Sequence, residues 1–575
     1  MLQPLERKLL PQDFKVSNWE QLQPYFEALN SRNITSKAEL EAFLHDMSEL
    51  EAVISEDAAW RQINMTRDTE NKDYEEAFTY FVTEIEPRMK PYFFELSKKI
   101  ADSPFTKELD ESQYYPYLRS LRNAIHLYRE ENIPLQSQIA LLAQQFGVIN
   151  SKMTIEHDGQ ELTLQQAARF LQNPDRKLRE EIYRKIAARR LQDKDALNEL
   201  FDKLLSLRQQ VAENAGFDNY RDYKFRELGR FDYTPEDCFR FHEAVRQHIV
   251  PLFRILQEHR KEKLGLDEMK PWDGDAEAPG TTPLQPFANG KELSQKAINV
   301  FNTLNPYFGQ CLTTMNDMER LDLDSRKGKA PGGYNCPLAE TGVPFIFMNA
   351  AGTNGDLITM MHEGGHAVHS FLSHDLPLSA FKEYPMEMAE LASMSMELFS
   401  MEHWHQFYDS KEELLRAQQD ELERVISVLP WIAIIDKFQH WLYTHPGHSE
   451  EQRKAAWLEI HKEFSTGVIS WEGLEENRAY LWQKQLHLYE VPFYYIEYGI
   501  AQLGAIAMWR QYHNDKDAAL ANYQKALSLG YTKTLKELYQ QAGIRFDFSP
   551  EYVAELAGFL KETLSEVGLM KEQTA

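Results

Sequence analysis

Met360-Met-His362-Glu363-Gly364-Gly365-His366-Ala-Val-His369-Ser370 is the stretch on which the reading of this 575-residue chain turns. Inside it, His362-Glu363-x-x-His366 sets two imidazoles four residues apart, about 40° apart around a helix of 3.6 residues per turn. That spacing lets both rings bind one Zn²⁺ ion. Glu363, between them, can then take a proton from a metal-bound water. Alone, the pattern carries little weight. In a chain with 18 His and 59 Glu it arises by chance in roughly one sequence in twenty. Gly364 and Gly365 fall inside the predicted helix, where each costs up to about 1 kcal/mol against Ala. A close approach by substrate or by a neighbouring helix is expected there.

Just upstream, Val343-Pro-Phe-Ile-Phe-Met-Asn349 reads as a short strand. Pro344 favours a sheet edge, where a bound peptide can add as a further strand. Downstream, the third ligand of a catalytic zinc has to be found. The metzincin continuation is absent, because His369 stands where Gly is required and Leu372 where His is required. A second helix must therefore supply it. Pro385 is well placed to open that helix, which carries Glu387, Glu390 and Glu397. Glu390 and Glu397 are seven residues apart and share a face with Met386, Ala389 and Met394. A carboxylate pair on a face otherwise destined for burial needs a partner, and a metal is the obvious one. Glu390 is assigned as ligand and Glu397 as the group that orients a ligating His. Glu387 and Glu383 compete for the ligand role. His369 and His374 continue no known ligand spacing.

Bulk properties bound the rest. A formal charge of -26 and a pI near 5.2 argue against nucleic-acid or anionic-membrane binding. Cys238, Cys311 and Cys336 are odd in number and far apart, so no disulfide framework is expected and a reducing compartment fits. The first residues carry no long apolar run before Asp13, and no run approaches a membrane span. A soluble, cytoplasmic protein is expected, with a monomer favoured. The pattern is predominantly helical. Ser36-Lys-Ala-Glu39 opens a helix through Phe43, Met47 and Leu50 as a capping box. Pro87 and Pro91 predict a break within 73–99. Asp158-Gly159 predicts a hairpin over 153–164, with His157 on the surface. One long helix is expected from Asp175 to Asn214, closed by Gly216, and another from Thr234-Pro-Glu to about Leu264. The irregular tract 266–289 is expected to be anchored by Trp272 and Phe287.

His362-Glu363-Gly-Gly-His366 followed by Met388-Ala-Glu390-Leu-Ala-Ser-Met-Ser-Met-Glu397 resembles the zinc peptidases of the thimet oligopeptidase and oligoendopeptidase F family. The likeness extends to Phe231-Asp-Tyr-Thr-Pro-Glu236, Gly328-Lys-Ala-Pro-Gly-Gly-Tyr334 and His487-Leu-Tyr-Glu-Val-Pro-Phe-Tyr-Tyr-Ile-Glu-Tyr498. It covers most of the chain and is closer to the oligoendopeptidase F branch; the spacing after the late His departs from the mammalian-type branch. The resemblance implies a mainly α, neurolysin-like fold with two helical lobes, a deep substrate channel and a few short β-strands. It also implies one Zn²⁺ per chain, held by His362, His366 and Glu390. Glu363 would be the general base. In the late stretch, Tyr494 with Tyr498, or Tyr495 with Tyr498, can face one side of a helix. The resemblance favours His487, Tyr495 and Tyr498, with Tyr498 as the first choice for the donor to the oxyanion.

The expected function is that of a zinc metalloendopeptidase, a hydrolase of internal bonds in short oligopeptides. A zinc carboxypeptidase or dipeptidyl carboxypeptidase is the nearest rival, although no cationic group is placed to hold a substrate carboxylate. A helical binding protein with an accidental motif is the other. The lobes are expected at 1–200 and 201–575.

Overall fold

The computed structural model describes residues 5–278 and 280–570. Among the described residues helices dominate, as expected, with five short strands. Two compact units are each assembled from three separated segments. The first comprises Met1–His126, Leu284–Ala417 and Gly504–Phe546; the second comprises Leu127–Pro283, Gln418–Leu503 and Asp547–Ala575. Neither coincides with 1–200 or 201–575, and residue 200 lies within the helix Lys194–Asn214. Segments distant in sequence close each core, so no linker composition marks the division.

In the first unit, the helix Lys37–Arg67 buries Phe43, Met47 and Leu50. Ser36 Oγ accepts from the Glu39 amide, but the Glu39 carboxylate reaches one residue further back than a capping box requires, to the amide and hydroxyl of Thr35. The break near Pro87 takes the form of a π-helical turn, Phe81–Ile85, ahead of the helix Glu86–Asp102. A proline near a helix start has no amide to donate, and the wider turn before it absorbs the mismatch. The same device precedes Pro251 in the second unit, where Val245–Ile249 separates the helices Pro235–Ala244 and Val250–Lys263.

The second unit holds the hairpin, with β1 (Thr154–His157) antiparallel to β2 (Gln160–Thr163). Asp158 and Gly159 both have positive φ, as a type I′ turn requires. His157 is buried, contrary to expectation. The period-2 alternation puts it on the same face as Ile155, packed edge-on to Phe170. The expected single helix over 175–214 is two, Arg176–Gln192 and Lys194–Asn214, parted at Asp193. Arg189 pairs with the Asp193 carboxylate at that break. Gly216, with φ of +86°, closes the second. Trp272 is buried in this unit, and Phe287 is buried in the first.

The second unit also carries a buried neutral histidine with a consequence for stability. His461 Nδ1 accepts from the Arg478 guanidinium at 3.0–3.1 Å. Burial, then the charges of Arg478 and Lys484, push its pKa down to about 3. The unfolded chain therefore takes up a proton between its ordinary value near 6.5 and pH 3 that the folded chain refuses. Stability is full above that ordinary value and falls as pH drops, by ~3 kcal/mol at pH 4. His461→Gln is expected to flatten the fall of Tm between pH 7 and pH 4; an unchanged slope would show that His461 is not the group responsible.

In the first unit, β3 (Leu321–Asp324), β4 (Tyr334–Cys336) and β5 (Phe345–Ala350) form a sheet in the order β3-β5-β4. β5 is parallel to β3 and antiparallel to β4. The edge position expected for this run is thus corrected: β5 is central. Pro344 lies one residue before the strand and removes no ladder hydrogen bond. β5 leads through a three-residue turn into the motif helix, Asn354–Ser373. No helix among the described residues is long and apolar enough to cross a membrane.

Candidate metal centre

The motif helix begins with a full capping box. Thr353 Oγ1 accepts from the Asp356 amide, and the Asp356 carboxylate accepts from the Thr353 amide. This fixes where the helix starts and hence which way His362, Glu363 and His366 project. The helix packs tightly along Met386–Ser400, whose residues from Glu387 onward are all buried. The two glycines are explained by that packing and by Phe301. A Cβ on Gly364 would meet the Phe301 ring at 2.4 Å. A Cβ on Gly365 would meet Ser393 Cα at 2.7 Å and the Ala392 carbonyl oxygen at 2.8 Å. The second clash is with backbone and cannot be relieved by a rotamer. Gly365→Ala is expected to cost about 1–3 kcal/mol through forced separation of the two helices, read as a lower Tm together with weaker metal retention. A wild-type Tm would refute the close contact.

His362, His366 and Glu390 converge, with donor atoms within 4.8 Å of one another. Nε2 of His362 and Nε2 of His366 lie 3.4 and 3.8 Å from Oε2 of Glu390. Tetrahedral zinc bonds of about 2.0–2.2 Å separate their donors by roughly 3.3–3.6 Å, so the residues fit the ion. Nδ1 of His362 sits 2.5 Å from Oε1 of Glu397, which leaves Nε2 free to face Glu390. Glu387 and Glu383 are not part of the group. His369 is buried and stacks on Tyr384 at 3.5 Å, and His374 follows the helix end.

The electrostatics of the group suit a bound cation. Burial would push His362 down, but Glu397, Glu390 and Glu363 carry its pKa up to about 9. His366 is driven well below its ordinary value by burial and by His362 and His369. Burial lifts Glu363 to about 7, opposed by His362 and reinforced by Glu390 and Glu397. Carboxylates crowded on buried imidazoles are what a divalent ion neutralises.

His487, Tyr494, Tyr495 and Tyr498 form a second cluster, within the other unit. The His487 ring lies 5.9, 4.8 and 6.0 Å from those of Tyr494, Tyr495 and Tyr498. Tyr498 touches both alternatives, at 5.0 Å from Tyr494 and 5.8 Å from Tyr495. Two residues not foreseen from sequence set the imidazole's tautomer. Trp431 Nε1 donates to Gln485 Oε1, and the Gln485 amide nitrogen donates to His487 Nδ1. His487 therefore carries its proton on Nε2. Burial holds its pKa down at about 4, so it is a neutral donor. Asn335 was also unforeseen, although it directly follows the Gly-Gly-Tyr334 stretch. Its side-chain amide donates to the Glu363 carbonyl oxygen at 3.3 Å and ties β4 to the motif helix.

Comparison with known proteins identifies the family. Residues 169–558 match the model of peptidase family M3, and residues 11–128 match the peptidase M3 N-terminal domain. The chain belongs to peptidase family M3. Among its relatives, the chromosomal oligoendopeptidase F of Lactococcus lactis subsp. cremoris is 23% identical over 345 residues, 58% of this chain and 54% of that protein. Oligopeptidase PepF of Bacillus subtilis (strain 168) is 23% identical over 334 residues, 56% of this chain and 48% of that protein. The chain thus spans about half the length of the curated relatives it matches. A solved structure, PZ peptidase A with inhibitor 2, superposes with a TM-score of 0.89 at 26% identity, over 98% of this chain and 100% of that one. The expected family and the mainly α fold are borne out.

Proposed function

We propose that this protein is a zinc-dependent endopeptidase of the oligoendopeptidase F type, cutting internal bonds of short peptides in the cytoplasm as a monomer. The observation that carries the reading is the His362, His366 and Glu390 donor set with buried Glu363 beside it on the same helix. Membership of peptidase family M3 and the names of the relatives support it.

His362, His366 and Glu390 would hold the ion, and Glu397 would fix the first imidazole through Nδ1. When bound, zinc supplies acidification of a water and polarisation of the scissile carbonyl. Glu363 takes the proton from the attacking water and passes it to the leaving amine. Its place on the same helix between the two imidazoles suits it to both transfers. The edge strand β4, tied to the Glu363 carbonyl by Asn335, offers unpaired backbone groups along which an extended peptide can add. Neutral donors at His487, Tyr495 and Tyr498 suit the carbonyl oxygen as it gains charge, Tyr498 foremost. Tyr498→Phe is expected to lower kcat by ~10²–10³ with KM little changed; a wild-type kcat would remove Tyr498 from that role.

The deciding experiment maps cuts in a mixed peptide library by mass spectrometry, with and without a chelator. Internal, chelator-sensitive cuts in end-blocked peptides are expected. Cleavage confined to free carboxyl ends would favour the carboxypeptidase reading. Cleavage indifferent to chelation would sink the metal mechanism, and no cleavage of any peptide would favour a binding protein.

A further inference from the structure

A second convergence of metal-ligating side chains lies within the second unit, outside the site already described. The helix Pro235–Ala244 carries Cys238 and His242 one turn apart. The helix Lys411–Thr444 carries Asp436 and His440, also one turn apart. Four residues' spacing puts each pair on one helix face, and the two faces meet. All four side chains are buried, none more than 2% exposed. A Cys238 sulfur, an Asp436 carboxylate oxygen and a His440 ring nitrogen lie within 4.8 Å of one another. His242 Nε2 hydrogen-bonds Asp436 Oδ2 at 2.8 Å. His440 Nε2 stands 3.3 Å from the same oxygen without making a hydrogen bond.

The polar accounting does not close. Among the described residues, Asp436 Oδ1, His242 Nδ1 and both ring nitrogens of His440 have no hydrogen-bond partner. The surroundings are the rings of Phe225, Phe239 and Phe493, which pack 4.8–5.7 Å from His440 and offer no donor. The cations nearby are engaged elsewhere: Arg230 with Glu497 at 2.8 Å, and Lys437 with Glu463 at 2.6 Å. A buried carboxylate with an unpaired oxygen, set among unpaired ring nitrogens, leaves room for a cation to satisfy them.

We propose that Cys238, Asp436 and His440 bind a second divalent transition-metal ion, zinc by the sulfur, nitrogen and oxygen character of the donors, with His242 holding the carboxylate in place. Binding displaces the Cys238 thiol proton to solvent. One thiolate and one carboxylate then balance the two positive charges of the ion, leaving a neutral site, as burial demands. The mixed set of thiolate, imidazole and carboxylate suits zinc and disfavours magnesium or calcium. Its place between two helices far apart in sequence gives it a structural role, pinning Pro235–Ala244 to Lys411–Thr444. A hydrogen-bonded Asp–His network without an ion is the rival reading.

Cobalt separates the two. The His362, His366 and Glu390 group contains no sulfur, so a sulfur-to-cobalt charge-transfer band in the near ultraviolet reports only the site at Cys238. The full chain, produced in zinc-depleted medium supplemented with cobalt, is expected to show that band and to hold about two metal equivalents. The variant H362A/H366A is expected to keep the band and lose about one equivalent, whatever its activity. Cys238→Ser should lose the band, and His242→Gln should keep it while releasing metal to a chelator at ~10–100-fold lower concentration. A wild-type chain that carries cobalt without the band overturns the second site and leaves the peptidase reading standing. Band and second equivalent in a chain without chelator-sensitive cleavage would do the reverse.

Discussion

Glu363→Gln is expected to lower kcat by about 10³–10⁴-fold while the protein keeps its metal. The substitution preserves volume and leaves His362, His366 and Glu390 untouched. It removes only the capacity to take up and return a proton. The position is 7% exposed, so bulk water cannot easily stand in as base. Kinetics should be read beside elemental analysis of the same sample. A variant that is inactive and fully loaded with metal assigns Glu363 to the proton transfer. One that is inactive because it has lost metal would make the residue a support for the centre. Near-wild-type turnover would remove it from the mechanism altogether.

Glu390→Ala should act on the other half of the system. Its Oε2 is the atom both imidazole Nε2 groups face, at 3.4 and 3.8 Å. Removing one of the three proposed protein donors is expected to cost ~4 kcal/mol, about 10³-fold in metal affinity. Cleavage should disappear at trace zinc and partly recover on zinc addition, a recovery that Glu363→Gln cannot show. Full metal content after dialysis would exclude Glu390 as a ligand and reopen the question for Glu387 and Glu383.

The parts of the centre legible in the sequence are those that local spacing determines. The i,i+4 histidines, Glu363 between them and the heptad of Glu390 and Glu397 are helix-face statements, and their geometry follows once the helices form. The hairpin was legible for a similar reason, since Asp158-Gly159 allows few other turns. What could not be read depends on contacts between remote segments. The sequence marks Gly365 as unusual but cannot say that Ser393 lies against it. Trp431 and Gln485 fix the His487 tautomer across 54 residues of chain. Asp193 interrupts a continuous apolar pattern without Pro or Gly, and β5 is central because Pro344 falls one residue short of the ladder. Cys238 with His242 and Asp436 with His440 are each unremarkable pairs until two distant helices bring them face to face.

The backbone contact at Gly365 also bears on which ion the centre accepts. Because one helix rests on the main chain of the other, the gap between the imidazoles and the Glu390 carboxylate is gauged by covalent skeletons and owes little to flexible side chains. Such a gap cannot widen to admit a larger, more highly coordinated ion without prying two helices apart. On the proposed reading, selectivity for a small tetrahedral ion would be a mechanical property of the scaffold, and a single methyl group at position 365 would be the wedge that relaxes it.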